Sequence, residues 1–515
     1  MAALPTDVRP GTPDADRPAR RRLPADLAWG LPGALLGLLL VLAAHRGLID
    51  DAYITLDYAR NVATDLHWGL IPTEESNAAT SPLNVLLLAL GTALVRLVTG
   101  EVRPVAGFGV LSVAACAALA VWAAQTARRV GVSPAWSLAA LAVVLANPFV
   151  SSSVGLEVLP VAALLTGLLA QAVRGARVGA GLLTGLLVLT RLDLAVVAAV
   201  VLLCTPALRR RPWVTLAVAA GTAGPWYVFS WFHFGSAIPS TFAIKTLQRS
   251  FGDQTFANGL WTLWGPRGAL PLWVALVPAL VGLVTVVALL ASGVRRRLPA
   301  HLWPLAGLGL GGVAYHLAYA LLGVPPYQWY YAPSTVALGV TGVLGLALLL
   351  RQQLPAGRRQ GAVALGTALV VAALAFLTLD GRSLPWTHPV YFGNWAEPAQ
   401  YRDIGAEVGR LVGPDTVIAP PEIGTLAFGC DCSMVDAFSD PGRTLELIDQ
   451  RIDRSGPVGR FLLSVNFAHL DRDQQPRPAQ YRLVWTQGEV PAGVPSWPTT
   501  SPATGPATLY LDRVG

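Results

Sequence analysis

Two adjacent carboxylates, Asp50 and Asp51, follow directly on an apolar segment that begins near Leu27. An ionised carboxylate beside lipid is costly to desolvate unless it binds or reacts with something. Such surroundings raise a carboxylate's pKa and suit it to act as a general base toward a hydroxyl. Paired hard oxygen ligands can also bind a divalent cation such as Mg or Mn. The plainer reading is a helix-capping pair in a solvated loop. Position argues against it, because the pair heads a polar loop that runs to Ser81 in a chain otherwise poor in charge.

The elements that must position these acids are read from composition. Of 515 residues, 53% are hydrophobic and 13% charged, against about 25% charged in an average soluble domain. This is the composition of a polytopic membrane protein with some soluble mass. The net charge of +7 comes from short Arg clusters between apolar runs, the pattern of cytoplasmic loops and not of a nucleic-acid surface. The single lysine is Lys245. Residues 1–26 are rich in Pro, Arg and Asp and read as a disordered cytoplasmic tail. The apolar run behind them has no small-residue cleavage site, so it reads as a retained first helix. Cys430-Asp431-Cys432 suggests a disulfide or two free thiols more than a metal site. His45, Arg46, His67 and His316 read as structural, and their spacing offers no zinc site.

Basic clusters at Arg20 to Arg22, Arg128/Arg129, Arg174/Arg177, Arg209 to Arg211, Arg295 to Arg297 and Arg351/Arg358/Arg359 mark cytoplasmic loops. Crossings between successive clusters must then be even in number. Segment 82–98, interrupted by Asn84 and Arg96, is therefore expected along the outer interface rather than across the membrane. The run 178–206 carries Arg191 and Asp193 at its centre, which marks a turn between two short helices. The result is about eleven crossings, given the ~20 residues a span requires, with the N-terminus cytoplasmic. This topology sends the loop 46–103, Asn147 to Glu157, Arg191/Asp193, His233 to Asp253 and Pro325 to Pro333 to the extracytoplasmic side. A shared external cavity is the economical reading. Tyr327 to Tyr331 reads as an interfacial aromatic belt, with sugar stacking as the second role.

Residues 27–382 thus form a transmembrane domain, and 383–515 an extracytoplasmic mixed α/β domain. In the latter, Tyr401 to Val412 has the pattern of an amphipathic helix, while Asp415 to Ala419, Phe461 to Val465 and Tyr481 to Trp485 read as strands.

Asp50-Asp51-Ala52-Tyr53-Ile54 followed by Tyr58-Ala59-Arg60-Asn61 resembles the first-loop signature of GT-C membrane glycosyltransferases. The resemblance is closest to the bacterial branch of arabinofuranosyltransferases that act on cell-wall arabinan. Thr80-Ser81-Pro82-Leu83, Gly155-Leu156-Glu157 and Leu189-Thr190-Arg191-Leu192-Asp193 are similar to further elements of that family. So is Phe234-Gly235 with Ile238-Pro239-Ser240-Thr241 and Ala243-Ile244-Lys245, where Ser240 replaces the usual Asn. The resemblance covers most of the membrane part and, more weakly, the tail near Gly424 and Asp436.

The resemblance implies a GT-C-like fold and transfer of a sugar, arabinofuranose or a hexose, from a polyprenyl-phosphate donor, with inversion. The acceptor would be a cell-envelope glycan or lipid. One of Asp50 and Asp51 would deprotonate the acceptor hydroxyl, and the other would orient it or bind a metal. Lys245, with Arg191 second, would hold the donor phosphate; Arg191 could equally pair with Asp193. Glu157, Asp193, Tyr53 and Arg60 would position sugar or acceptor. The competing reading is a transporter or lipid-linked-sugar flippase, which would show paired repeats and charges near the bilayer midplane. Here the charges gather at one face and no duplicated halves are evident.

Overall fold

The computed structural model describes residues 26–514 except 246, 248–250, 296–297, 352, 355–356, 380–381 and 392. The expected N-terminal tail with Arg20 to Arg22 lies outside the described residues, apart from Asp26, as do Arg296 and Arg297. The membrane part opens with α1 (Gly30–Ala44), α2 (Asp50–Asp65), α3 (Pro82–Thr99), α4 (Pro104–Val130), α5 (Trp136–Ala146) and the short α6 (Pro148–Ser151). It continues through α7 (Val158–Arg174), α8 (Arg177–Thr190), α9 (Ala195–Cys204), the turn α10 (Pro206–Arg209), α11 (Pro212–His233) and α12 (Ser240–Ile244). Two short pieces, α13 (Phe256–Gly259) and α14 (Gly265–Arg267), lead to α15 (Ala269–Val294), α16 (Trp303–Leu322), α17 (Gln328–Arg351) and α18 (Arg358–Thr378).

Seven helices among the described residues are long and apolar enough to cross a membrane, and four shorter apolar helices accompany them. Segment 82–98 is a regular helix from Pro82 to Thr99 that meets the length and hydropathy of a crossing. It packs Val85, Leu88 and Ala89 inward and exposes Leu86, Leu90, Leu94 and Leu97. The turn expected near Arg191 is present: α8 ends at Thr190, Arg191 is extended, and a single 3-10 turn, Leu192–Leu194, leads into α9. Helix α2 begins with two acids, where the positive end of the helix dipole favours them. It ends at Leu66 in the left-handed conformation.

The tail comprises α19 (Pro398–Val412), β1 (Val417–Ile418), α20 (Gly424–Cys430), β2 (Met434–Val435), α21 (Pro441–Asp453) and α22 (Pro457–Asn466). Strands β3 (Tyr481–Thr486), β4 (Ser496–Ser501) and β5 (Gly505–Arg513) complete it. The sheet order is β2-β1-β3-β5-β4, with β1 parallel to β2 and β3, and β5 antiparallel to β3 and β4. Tyr401, Ile404 and Val408 of α19 share a buried cluster with Val417, Met434, Leu483 and Leu509. Cys430 and Cys432 are disulfide-bonded.

One element differs from its sequence expectation. Phe461 to Val465, read as a strand, lies within helix α22. A short apolar run fits either structure, and here Pro457 at the first helical position starts a helix. The tail closes directly onto the membrane part: Trp386 N donates to Ala43 O (2.7 Å), and Ile238 N donates to Asn466 Oδ1 (2.8 Å).

Candidate active site

Asp50 and Asp51 are neighbours in sequence but face different surroundings. Asp50 is 4% exposed. Its Oδ2 accepts from Gly424 N (2.9 Å) and its Oδ1 from Thr425 N (2.7 Å), so both oxygens are taken up at the start of α20. Its own N–H donates to Asn394 Oδ1 (2.9 Å). Gly424 permits this closeness, since a Cβ there would stand 2.1 Å from the Asp50 carbonyl oxygen. Burial pushes the Asp50 carboxyl up to about 6; the Thr425 and Gly424 N–H groups resist that rise and the charge on Asp51 adds to it.

Asp51 instead lines a cavity of about 130 Å³ together with Glu157, Lys245, Trp329 and Asp436. Burial raises its pKa above the usual carboxylate value, Lys245 draws it back, and Glu157 and Asp436 push it further up. Lys245 follows α12, which is fastened to the first loop by Ser240 N donating to Asn77 O (3.0 Å) and Thr241 Oγ1 donating to Ala78 O (3.0 Å). Its ammonium lies over the rings of Tyr327 (5.6 Å) and Trp329 (5.8 Å), a cation–π arrangement. Burial works against its charge, but Tyr330 and Asp51 outweigh that and hold its pKa above the ordinary lysine value.

A second cavity of about 310 Å³ adjoins the first, with Leu192, Val196, Ile238, Phe242 and Leu322 among its apolar walls. Thr80, Lys245 and Trp329 line both cavities, so the lysine stands at their junction. The polar loops that the arginine clusters assigned to one side therefore do converge. Arg191 also borders the second cavity, but its guanidinium is engaged: it donates to Glu157 Oε1 (2.9 Å), Asp193 Oδ2 (2.5 Å) and Tyr319 Oη (2.6 Å). Of its two sequence readings, the pair with Asp193 is present, with Glu157 as a second carboxylate. Tyr319 donates a further hydrogen bond to Asp193. The network fixes the α8–α9 break to α16 and to the start of α7.

Tyr53 and Arg60 stand apart from the cavity. Tyr53 is buried with its ring edge-on to Phe428 (5.2 Å), in the packing of α2 on α20. Arg60 pairs with the buried Asp57 (2.8 Å) and donates to the Phe428 carbonyl (3.4 Å). Position on α2 decides this: the face bearing Tyr53, Asp57 and Arg60 is the one covered by the tail. Both Asp50 oxygens already accept a backbone N–H group, which leaves each with one further lone pair. Among the described residues no cluster of three or more His, Cys, Asp or Glu is arranged to hold a metal ion.

Two contributors come from the tail. Asp436 enters the first cavity on a turn in which its Oδ1 accepts from Phe438 N (2.9 Å), Ser439 N (2.8 Å) and Ser439 Oγ (2.8 Å). Besides the weak resemblance near Gly424 and Asp436, its sequence signal is an Asp-x-x-Ser pattern, which marks a turn and not a site. Arg451 of α21 reaches the second cavity, and nothing in its sequence neighbourhood distinguishes it.

No protein-family model and no curated protein sequence matches the chain. Solved structures do. ArnT of Cupriavidus metallidurans, solved bound to undecaprenyl phosphate, superimposes with a TM-score of 0.53 at 14% identity, over 94% of this chain and 97% of that one. The oligosaccharyltransferase AglB of Archaeoglobus fulgidus, solved with an inhibitory peptide and a dolichol-phosphate, gives 0.52 at 12% identity, over 88% of this chain and 69% of that one. The chain has the fold of these two solved structures.

Proposed function

We propose that this protein is a membrane glycosyltransferase that moves a sugar from a polyprenyl-phosphate donor to a hydroxyl of a cell-envelope glycan or lipid on the extracytoplasmic face. The observation that carries this is the place of Lys245, at the junction of an apolar cavity and a polar cavity that holds Asp51. A lipid-linked sugar phosphate has the same three-part chemistry. Its prenyl chain suits the walls formed by Leu192, Phe242 and Leu322, its phosphate suits the ammonium, and its sugar lies toward Asp51. ArnT was solved with undecaprenyl phosphate and AglB with a dolichol-phosphate, which supports a lipid-phosphate donor here.

In this reading Asp51 takes the proton of the acceptor hydroxyl. The oxygen attacks the anomeric carbon as the bond from that carbon to the phosphate oxygen breaks, with inversion. The electron pair leaves on the polyprenyl phosphate, whose growing charge Lys245 stabilises. Asp50 positions Asp51 by tying α2 to α20, and Arg191 with Glu157 and Asp193 holds the cavity walls. The sugar is arabinofuranose or a hexose. With residues 27–382 in the membrane and 383–515 outside the cytoplasm, as the arginine clusters suggest, the site faces away from the nucleotide-sugar pool, which favours a lipid-carried donor.

The test is to incubate the purified protein in nanodiscs with a panel of radiolabelled polyprenyl-phosphate sugars and envelope extracts. Release of free polyprenyl phosphate with transfer of label, lost in Asp51→Asn, is the expected result. Folded protein that moves labelled lipid across vesicles without ever releasing the phosphate would replace this reading with the flippase.

A further inference from the structure

Helix α22 carries Val458, Phe461, Leu462 and Val465 at the i, i+3, i+4, i+7 spacing of one helix face. All four point out of the protein, with exposures of 73%, 67%, 60% and 44%. The domain core does not need that face. On the other side of the helix, Leu463 already packs against the cluster of Ala243, Ile448 and Phe467. Four of the seven large apolar side chains that the described tail residues expose lie on this single stripe.

The location of the stripe says what covers it. Trp231 Nε1 donates to the Val465 carbonyl (3.0 Å), and the Asn466 side chain both accepts from Ile238 N (2.8 Å) and donates to Ile238 O (3.2 Å). The rings of Trp231 and Phe232 meet His469 just beyond α22 (4.7 and 4.9 Å). Trp231 and Phe232 lie at the end of α11 and Ile238 five residues beyond it; α11 itself exposes Leu216, Val228, Phe229 and Phe232 as a lipid-facing helix does. Trp and neighbouring aromatics at such an end mark the membrane–water boundary. Helix α22 is thus held against the aromatic C-terminal end of α11. At ten residues, or about 15 Å, it is too short to cross. Exposed Arg454, just ahead of α22, suits lipid phosphates.

We propose that α22 is an interfacial helix lying in the phospholipid leaflet on the tail-domain side, with Val458, Phe461, Leu462 and Val465 among the acyl chains. The tail is then a membrane-seated domain and not a soluble cap. The preceding helix, α21, carries Arg451 to the apolar cavity, so the seated hairpin borders that cavity. The inference depends on the chain being embedded in a membrane and is independent of the reaction it performs.

The test places a nitroxide spin label at Phe461→Cys in full-length protein carrying Cys116→Ser and Cys204→Ser, reconstituted in phosphatidylcholine nanodiscs. A second label at Val458→Cys reads the same stripe should the first variant fold poorly, and Glu489→Cys serves as the aqueous control. Molecular oxygen is expected to relax the stripe labels several-fold more strongly than a nickel chelate does, with the reverse order at 489. Nickel accessibility at 458 and 461 equal to that at 489 would overturn the proposal. So would labels shielded from both reagents that broaden with protein concentration, since a second copy of the chain would then cover the face.

Discussion

The two aspartates are separable by experiment, because one carboxylate is spent on the backbone of α20 and the other faces the cavity. Asp51→Asn keeps the shape and removes the proton acceptor. Loss of a positioned general base costs about 10²–10⁴-fold in kcat, or about 3–5 kcal/mol of barrier at 1.36 kcal/mol per tenfold. Asp50→Asn retains one acceptor for the N–H groups of Gly424 and Thr425. The other N–H is orphaned, at about 1–3 kcal/mol of stability, while turnover falls by no more than about tenfold. The pH dependence supplies a second signature. The Asp50 carboxyl rises from 3.8 to about 6 in the folded protein, so the stability it contributes is complete below 3.8 and is lost as pH rises through about 6. Asparagine cannot ionise, so the variant gains on the wild type by about 3 kcal/mol between those limits. Single-turnover transfer and thermal unfolding from pH 4 to 7.5, on all three proteins, measure both quantities. Abolished turnover in Asp50→Asn with unchanged unfolding, or Asp51→Asn within tenfold of wild type, would refute the assignment of Asp51 as base.

Three other outcomes follow from the geometry. Lys245 holds the Asp51 pKa down against burial, so Lys245→Met should move the acid limb of the kcat/KM profile to higher pH, besides lowering kcat about 10²–10³-fold; an unmoved limb would mean that the two groups do not interact. Arg191→Ala strands the carboxylates of Glu157 and Asp193 in a buried site, at about 3–5 kcal/mol, read as a loss of Tm that Arg191→Lys partly restores. Gly155 has φ +103° and its missing Cβ would lie 2.6 Å from Ala52 Cβ; Gly155→Ala should displace the first turn of α2 and cost about 1–3 kcal/mol, with a drop in kcat larger than the drop in donor affinity.

Much of the site was legible because its chemistry stands out from an apolar background. Asp51, Lys245, Glu157 and Arg191 are charged residues in a chain with few, and the arginine clusters gather their loops on one side. The division of labour between Asp50 and Asp51 was not legible, because it depends on Gly424 and Thr425, which lie over 370 residues away. Tyr53 and Arg60 were placed at the site by motif alone, and the face of α2 that the tail covers sends them elsewhere. In the tail, β1 showed as an apolar β-branched run and β3 as an apolar run with aromatic residues, whereas Ser496–Ser501 is polar and contains Pro498, so β4 carries no hydrophobic alternation to read. Arg451 became a candidate only when α21 was folded against α12.

The break between α8 and α9 also bears on the bilayer itself. Fourteen and ten residues make helices of about 21 and 15 Å, well short of the ~30 Å hydrocarbon slab. A hydrophobic mismatch of that size draws the leaflets together around the short helices. Leu192 and Val196 at this break wall the apolar cavity, so the lipid donor proposed above would approach Lys245 where the bilayer is drawn thinnest.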